Sequence, residues 1–108
     1  GAAEPFALQV LGDSMAPEFE DGTIIIVDPA GIIESGCFVV AHHAEEYIFR
    51  RLSIEKGRYL LEPLNPAYET AEIGGTEAIT GVVVQRAGRR RRHRKHYVGS
   101  HGGGETAG

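Results

Sequence analysis

The stretch Gly12-Asp13-Ser14-Met15-Ala16-Pro17 holds the residues best suited to covalent chemistry. A serine that follows a glycine just after a strand can be held in a tight turn with its hydroxyl exposed. Backbone N–H groups at the start of a following helical turn could then stabilise an oxyanion. In that reading Ser14 is the nucleophile, and Gly12, Asp13 and Met15 form the turn and the oxyanion hole. The plainer alternative is that Ser14 caps a short helix, Gly12 supplies a positive φ and Met15 fills the core. Taken alone, a four-residue pattern favours the plainer alternative.

Positioning such a serine is work for strands. Phe6 to Leu11 alternates weakly, and Thr23 to Val27 is a β-branched run suited to a strand buried on both faces. Cys37 to Ala41 and Glu46 to Leu52 follow, with His42-His43-Ala44-Glu45 as the expected hairpin connection. Arg58 to Leu64 and Ala78 to Gln85 complete the set. Asp21-Gly22, Ser35-Gly36 and Gly74-Gly75 punctuate it, and Pro63, Asn65 and Pro66 end the fifth strand in a turn. One short helical turn is expected at Ser14–Glu20. Strands at this spacing with little helix predict an all-β fold, a folded sheet or partly open barrel.

Several motifs then recur in order: Gly12-Asp13-Ser14-Met15, Asp21-Gly22, Ile25-Ile26-Val27-Asp28, Gly36-x-Phe38-Val39-Val40-Ala41, Phe49-Arg50-Arg51-Leu52 and Leu61-x-Pro63-Leu64-Asn65-Pro66. Each is weak by itself, but the ordered set over residues 6–85 resembles the C-terminal domain of the LexA, UmuD and lambda-type phage repressors. That resemblance implies a mostly β domain that dimerises and cleaves its own upstream linker. It also implies a serine nucleophile with a neutral lysine as general base. Ser14 matches the serine, but Arg50 stands where the lysine belongs. A buried lysine can lose its proton near neutral pH because desolvation disfavours the ammonium. A guanidinium stays charged in proteins, so Arg50 could hydrogen-bond Ser14 without accepting its proton. Strand alternation puts Arg50 on the face of Ile48 and Leu52, pointing inward as the lysine would. The expected result is a peptidase-like fold with a disabled dyad.

No other residue is an evident substitute. Lys56, the one lysine of the body, falls in the expected Glu55-Lys56-Gly57 turn, where lysines are solvated. Thr23, where the family pattern often has aspartate, reads as a change at a strand start. The family's Ala-Gly or Cys-Gly scissile pair lies a few tens of residues before the serine. Only thirteen residues precede Ser14, so the chain holds no obvious substrate for itself. Cys37 reads as a small core residue, and its being the one cysteine excludes an intramolecular disulfide framework. His42 and His43 would point to opposite faces of a strand. His93, His96 and His101 are loosely spaced without partner carboxylates, so neither a metal site nor a cofactor is expected.

The 108 residues suffice for one compact domain. Residues 1–85 carry four basic and fourteen acidic side chains, a net of −10, whereas residues 86–108 carry seven basic and one acidic, a net of +6. An acidic body repels phosphate, so direct nucleic-acid contact would fall to the tail, where Arg89 to Lys95 has six basic residues in seven positions. A solvated tail without specific function is the simpler reading of that run, and the resemblance lends it no support. Two regions are thus expected: a peptidase-like dimerisation domain at 1–86 and a basic, glycine-rich, flexible tail at 87–108.

No run approaches the roughly 18 apolar residues that span a bilayer, and no signal peptide is visible, so a cytoplasmic protein without a membrane partner is expected. A start at Gly1 rather than Met reads as a fragment or a processed product. The leading expectation is a regulatory domain of a LexA- or phage-repressor-like transcription factor: a homodimer that reads DNA through an N-terminal domain absent from this chain. An active serine-dyad peptidase is the alternative. A distant signal-peptidase relative ranks last, for want of a membrane anchor.

Overall fold

The computed structural model describes residues 4–87 together with the strand segments Arg94–His96 and Thr106–Ala107. Seven strands make up the body: β1 (Phe6–Gln9), β2 (Ile24–Asp28), β3 (Phe38–His43), β4 (Glu46–Glu55), β5 (Arg58–Glu62), β6 (Ala71–Ile73) and β7 (Ile79–Ala87). The short segments β8 (Arg94–His96) and β9 (Thr106–Ala107) pair with β7 and β1. Strand order is β6-β5-β4-β3-β7-β2-β1-β9, with β8 beside β7. All pairings are antiparallel except β1 with β9. The path has two ends, so the sheet folds on itself without closing into a barrel. The rest of the expected tail, including His93, His101 and most of the arginine run, lies outside the described residues. Among the described residues no helix is long and apolar enough to cross a membrane.

Two apolar clusters lie on the two faces of the sheet, and strand alternation divides them. Val40 and Val83 join Val10, Met15, Phe19, Ile25 and Val27 in the first. Their neighbours Val39 and Val82 join Ala41, Leu52, Leu61 and Ile73 in the second. The strands covered on both faces are therefore β3 and β7 at the centre of the order. The sequence expectation assigned that position to β2, but its Ile24 and Ile26 are only half-buried while Ile25 and Val27 are fully buried.

Two turns also differ from expectation. His42 and His43 continue β3 and pair with Tyr47 and Glu46. The β3–β4 hairpin therefore closes on Ala44-Glu45 alone, both at positive φ, as two-residue hairpin loops require. The segment 14–20 forms turns rather than a helix. Ala16 N–H bonds the Asp13 carbonyl, Phe19 N–H bonds the Met15 carbonyl, and Pro17 has no N–H to continue a ladder. The one helical turn among the described residues is a 3-10 turn at Thr76–Ala78.

Candidate functional site

Ser14 sits on the long connection between β1 and β2, and three sets of contacts hold that connection. At its base, Val10 and Thr23 extend the pairing of the two strands (Val10 N to Thr23 O, 2.8 Å), and Gly22 N donates to Val10 O at 2.8 Å. Gly12, at φ +86°, donates its N–H to Asp21 Oδ1 at 2.7 Å. Underneath, Met15 and Phe19 are fully buried, and the Phe19 ring meets Phe38 and Phe49 edge-on at 4.9 and 4.8 Å. On the other side, Arg86 of β7 donates to the Glu18 carbonyl, pairs with the Glu18 carboxylate at 3.3 Å and stacks 5.8 Å from the Phe19 ring centre.

The third set comes from the segment after β5. Pro63 cannot donate to a ladder, and β5 ends at Glu62, leaving Arg51 as the last β4 residue it pairs. The chain then turns toward the serine. Leu64 and Asn65 donate their N–H groups to the Ser14 carbonyl at 3.1 and 3.0 Å. The Asn65 side chain donates to the Asp13 carbonyl at 3.1 Å and accepts from Ala67 N–H at 2.9 Å. Tyr68 donates its hydroxyl to Asp13 Oδ1 at 2.6 Å. Because this segment leaves β4, the β4 edge over residues 46–50 has no β5 partner.

Across that open edge Arg50 reaches the serine. Arg50 Nη1 donates to Ser14 Oγ at 2.9 Å and to the Phe49 carbonyl at 2.8 Å, and the guanidinium lies 5.9 Å from the Tyr68 ring centre. Arg50 Nε is buried without a hydrogen-bond partner, and no ion pair among the described residues includes Arg50. Desolvation pulls its pKa below the ordinary arginine value, while the Tyr68 hydroxyl pushes it the other way. A guanidinium starts so far above neutral pH that it stays protonated in proteins. Ser14 and Arg50 open onto a groove of about 360 Å³, lined by Leu8, Leu11, Tyr47, Ile48 and Tyr68 among others.

The residues proposed from sequence are therefore partly assembled. Ser14 and Arg50 meet directly. Gly12 shapes the turn, but its N–H is taken by Asp21. Asp13 is held by Tyr68, and the Met15 side chain belongs to the core. Lys56 lies in the exposed β4–β5 turn, six residues beyond Arg50 and thus about 20 Å along the strand. Cys37 is half-buried against the second cluster, and desolvation raises its thiol pKa. Thr23 is buried where β2 begins. Among the described residues no group of three His, Cys, Asp or Glu side chains gathers to hold a metal. Sequence reasoning missed the contributions of Asn65, Tyr68 and Arg86. The Leu-x-Pro-Leu-Asn-Pro motif carried a signal for the first, and nothing local marked the other two.

The antiparallel sheet thus presents the Ser14 hydroxyl from a glycine turn against the basic side chain of Arg50 on β4. The Peptidase S24-like family profile matches residues 1–84, and the chain belongs to that family, which includes the C-terminal domains of LexA and the phage repressors. The Repressor protein C2 of Salmonella phage P22 is 44% identical over 87 residues, covering 75% of this chain and 40% of its own length. The HTH-type transcriptional regulator for conjugative element SXT of Vibrio cholerae is 40% identical over 87 residues, 74% of this chain and 40% of its own. LexA repressor 1 of Nocardia farcinica is 41% identical over 86 residues, 78% of this chain and 39% of its own. The chain thus spans about two fifths of the length of the curated relatives it matches.

Proposed function

We propose that this chain is the regulatory and dimerisation domain of a repressor-type transcription regulator whose self-cleavage site is disabled at Arg50. The observation that carries this reading is the direction of the hydrogen bond at the dyad: Arg50 Nη1 donates to Ser14 Oγ at 2.9 Å. A general base must offer a lone pair to the serine proton, and a guanidinium has none to offer. Among the described residues no other base stands in for it. The Asp13 carboxylate is occupied by the Tyr68 hydroxyl, and Lys56 is remote. The domain keeps the tied turn and the groove of a peptidase while lacking its proton acceptor.

The regulatory part of the proposal draws on the relatives, which are named as repressors and an HTH-type transcriptional regulator. The chain matches only two fifths of each, so DNA reading is assigned to a segment of the whole protein outside these residues. Two such segments on a homodimer would match a palindromic operator. A role of this kind places the protein in the cytoplasm, with DNA and a second copy of itself as partners.

The test is self-cleavage of the full-length parent from pH 7 to 10, read by gel and mass spectrometry. The expected result is an intact wild type at every pH. Arg50→Lys should then cleave increasingly as alkali deprotonates the buried ammonium, and adding Ser14→Ala should abolish that gain. Wild-type cleavage that rises with pH and disappears in Ser14→Ala would overturn the proposal in favour of an active serine peptidase with another base.

A further inference from the structure

Among the described residues, the Arg50 cation at the end of a largely apolar groove has no counter-ion. Burying a charge is costly unless it is paired. The three other cationic side chains seen in ion pairs, Arg51, Arg58 and Arg86, each have a glutamate. Arg50 has a serine hydroxyl, its neighbour's carbonyl and the Tyr68 ring, and its Nε has no hydrogen-bond partner. The acidic group nearest in the chain to the serine, Asp13, is already held by Tyr68.

The groove also has polarity. Glu46 lines it as well, four residues before Arg50 on the same face of β4, about 13 Å away along the strand. A negative group near one end, a positive group at the other and apolar walls between suit an extended peptide of about four residues. The edge of β4 over the same stretch has no β5 partner and, apart from the Phe49 carbonyl that Arg50 takes, offers backbone groups to pair with it. Its direction follows from charge, with the terminal carboxylate at Arg50.

We propose that the Ser14–Arg50 pocket is a receptor for the C-terminal carboxylate of an apolar peptide segment, so that replacing the base converts a cleavage site into a chain-end binding site. The inference rests on the reading of Arg50 as a permanent cation that cannot serve as base. Arg50 supplies a charge-assisted hydrogen bond from Nη2 and shares Nη1. The Ser14 hydroxyl, which accepts from Arg50, donates its own proton to the carboxylate. Leu8, Leu11, Tyr47 and Ile48 enclose the last side chains.

The experiment compares two probes on the 108-residue chain by calorimetry at low salt: acetyl-Leu-Val-Ala-Ala with a free C-terminal carboxyl, and the same peptide as its amide. Acetate serves as the control for an anion alone. The free acid should bind about tenfold more tightly than the amide, and acetate should bind far more weakly than either. Arg50→Gln, checked for folding by its thermal melt, should erase the acid's advantage. The wild-type comparison alone suffices should that variant fail to fold. Equal affinities with both peptides intact, no binding by either, or acetate matching the free acid would each overturn the inference and leave the disabled dyad standing. Mass spectrometry of the recovered probes separates the remaining case. Hydrolysis of either peptide that disappears in Ser14→Ala would overturn the disabled dyad, and the chain-end receptor with it.

Discussion

Arg50 occupies a position whose neighbours make no provision for a second charge. A neutral lysine needs one acceptor for its orienting hydrogens and offers one lone pair. A guanidinium brings five N–H donors, of which the described structure shows the two on Nη1 satisfied and the one on Nε buried and orphaned. Around it, Asp13 and Tyr68 form a neutral-donor to charged-acceptor bond that has a titration of its own. The Asp13 carboxylate, first by accepting the hydrogen bond and then by its charge, raises the Tyr68 pKa above the ordinary phenol value. A group whose pKa is raised on folding stabilises the fold at pH below its ordinary value, near 10 for a phenol. That contribution is lost as pH climbs through the raised value. Ultraviolet titration should show a phenol ionising above the ordinary value, and Asp13→Asn or Tyr68→Phe should remove that late component. A wild-type titration unchanged by either substitution would contradict the bond.

At the scale of elements, the serine turn is positioned by packing and carbonyl contacts more than by its own hydrogen bonds. Phe19 is the anchor, wholly buried between Phe38 of β3 and Phe49 of β4. Phe19→Ala should therefore cost about 3–5 kcal/mol, a large share of the 5–15 kcal/mol available to an ordinary domain. Denaturant melts measure this directly, and a loss below about 1 kcal/mol would show that the turn is held elsewhere. The end of β5 matters for a different reason. Pro63 stops the ladder there, which both frees the β4 edge facing the groove and directs Leu64 and Asn65 onto the Ser14 carbonyl. The same short motif thus builds one wall of the site and opens the other.

For the whole molecule, the governing quantities are charge and association. The full chain carries a net charge of −4, with −10 over residues 1–85. Copies that meet through their acidic bodies therefore repel, and self-association should strengthen with salt as that repulsion is screened. Two exposed side chains, Leu11 at 80% and Tyr47 at 69% relative accessibility, rim the groove and add apolar surface on that side. Sedimentation velocity across 50 to 500 mM NaCl should show a dimer fraction that grows with protein concentration and with salt; a monomer at every condition would exclude the proposed dimerisation.

Much of the site was legible in the residues themselves. The ordered motifs located Ser14 and Arg50, and alternation along β4 set the face of Arg50. These are local properties of residue type and spacing, and a strand preserves them whatever its neighbours do. The β3–β4 hairpin turn, the turns of residues 14–20 and the central strands were less legible. Positive φ at Ala44 and Glu45 contradicts their ordinary preferences and is imposed by strand pairing across the turn. Coverage on both faces went to β3 and β7 rather than β2 because sheet order, a long-range property, decides which strands lie in the middle. The sequence by itself determined which groups could do chemistry and that one of them could not be a base. Only the tertiary structure decided that Tyr68, Asn65 and Arg86, 54, 51 and 72 residues from Ser14, would hold the serine turn and leave Arg50 without a counter-ion among the described residues. Contacts at that separation arise from sheet order and chain reversal, which no local pattern of residues records.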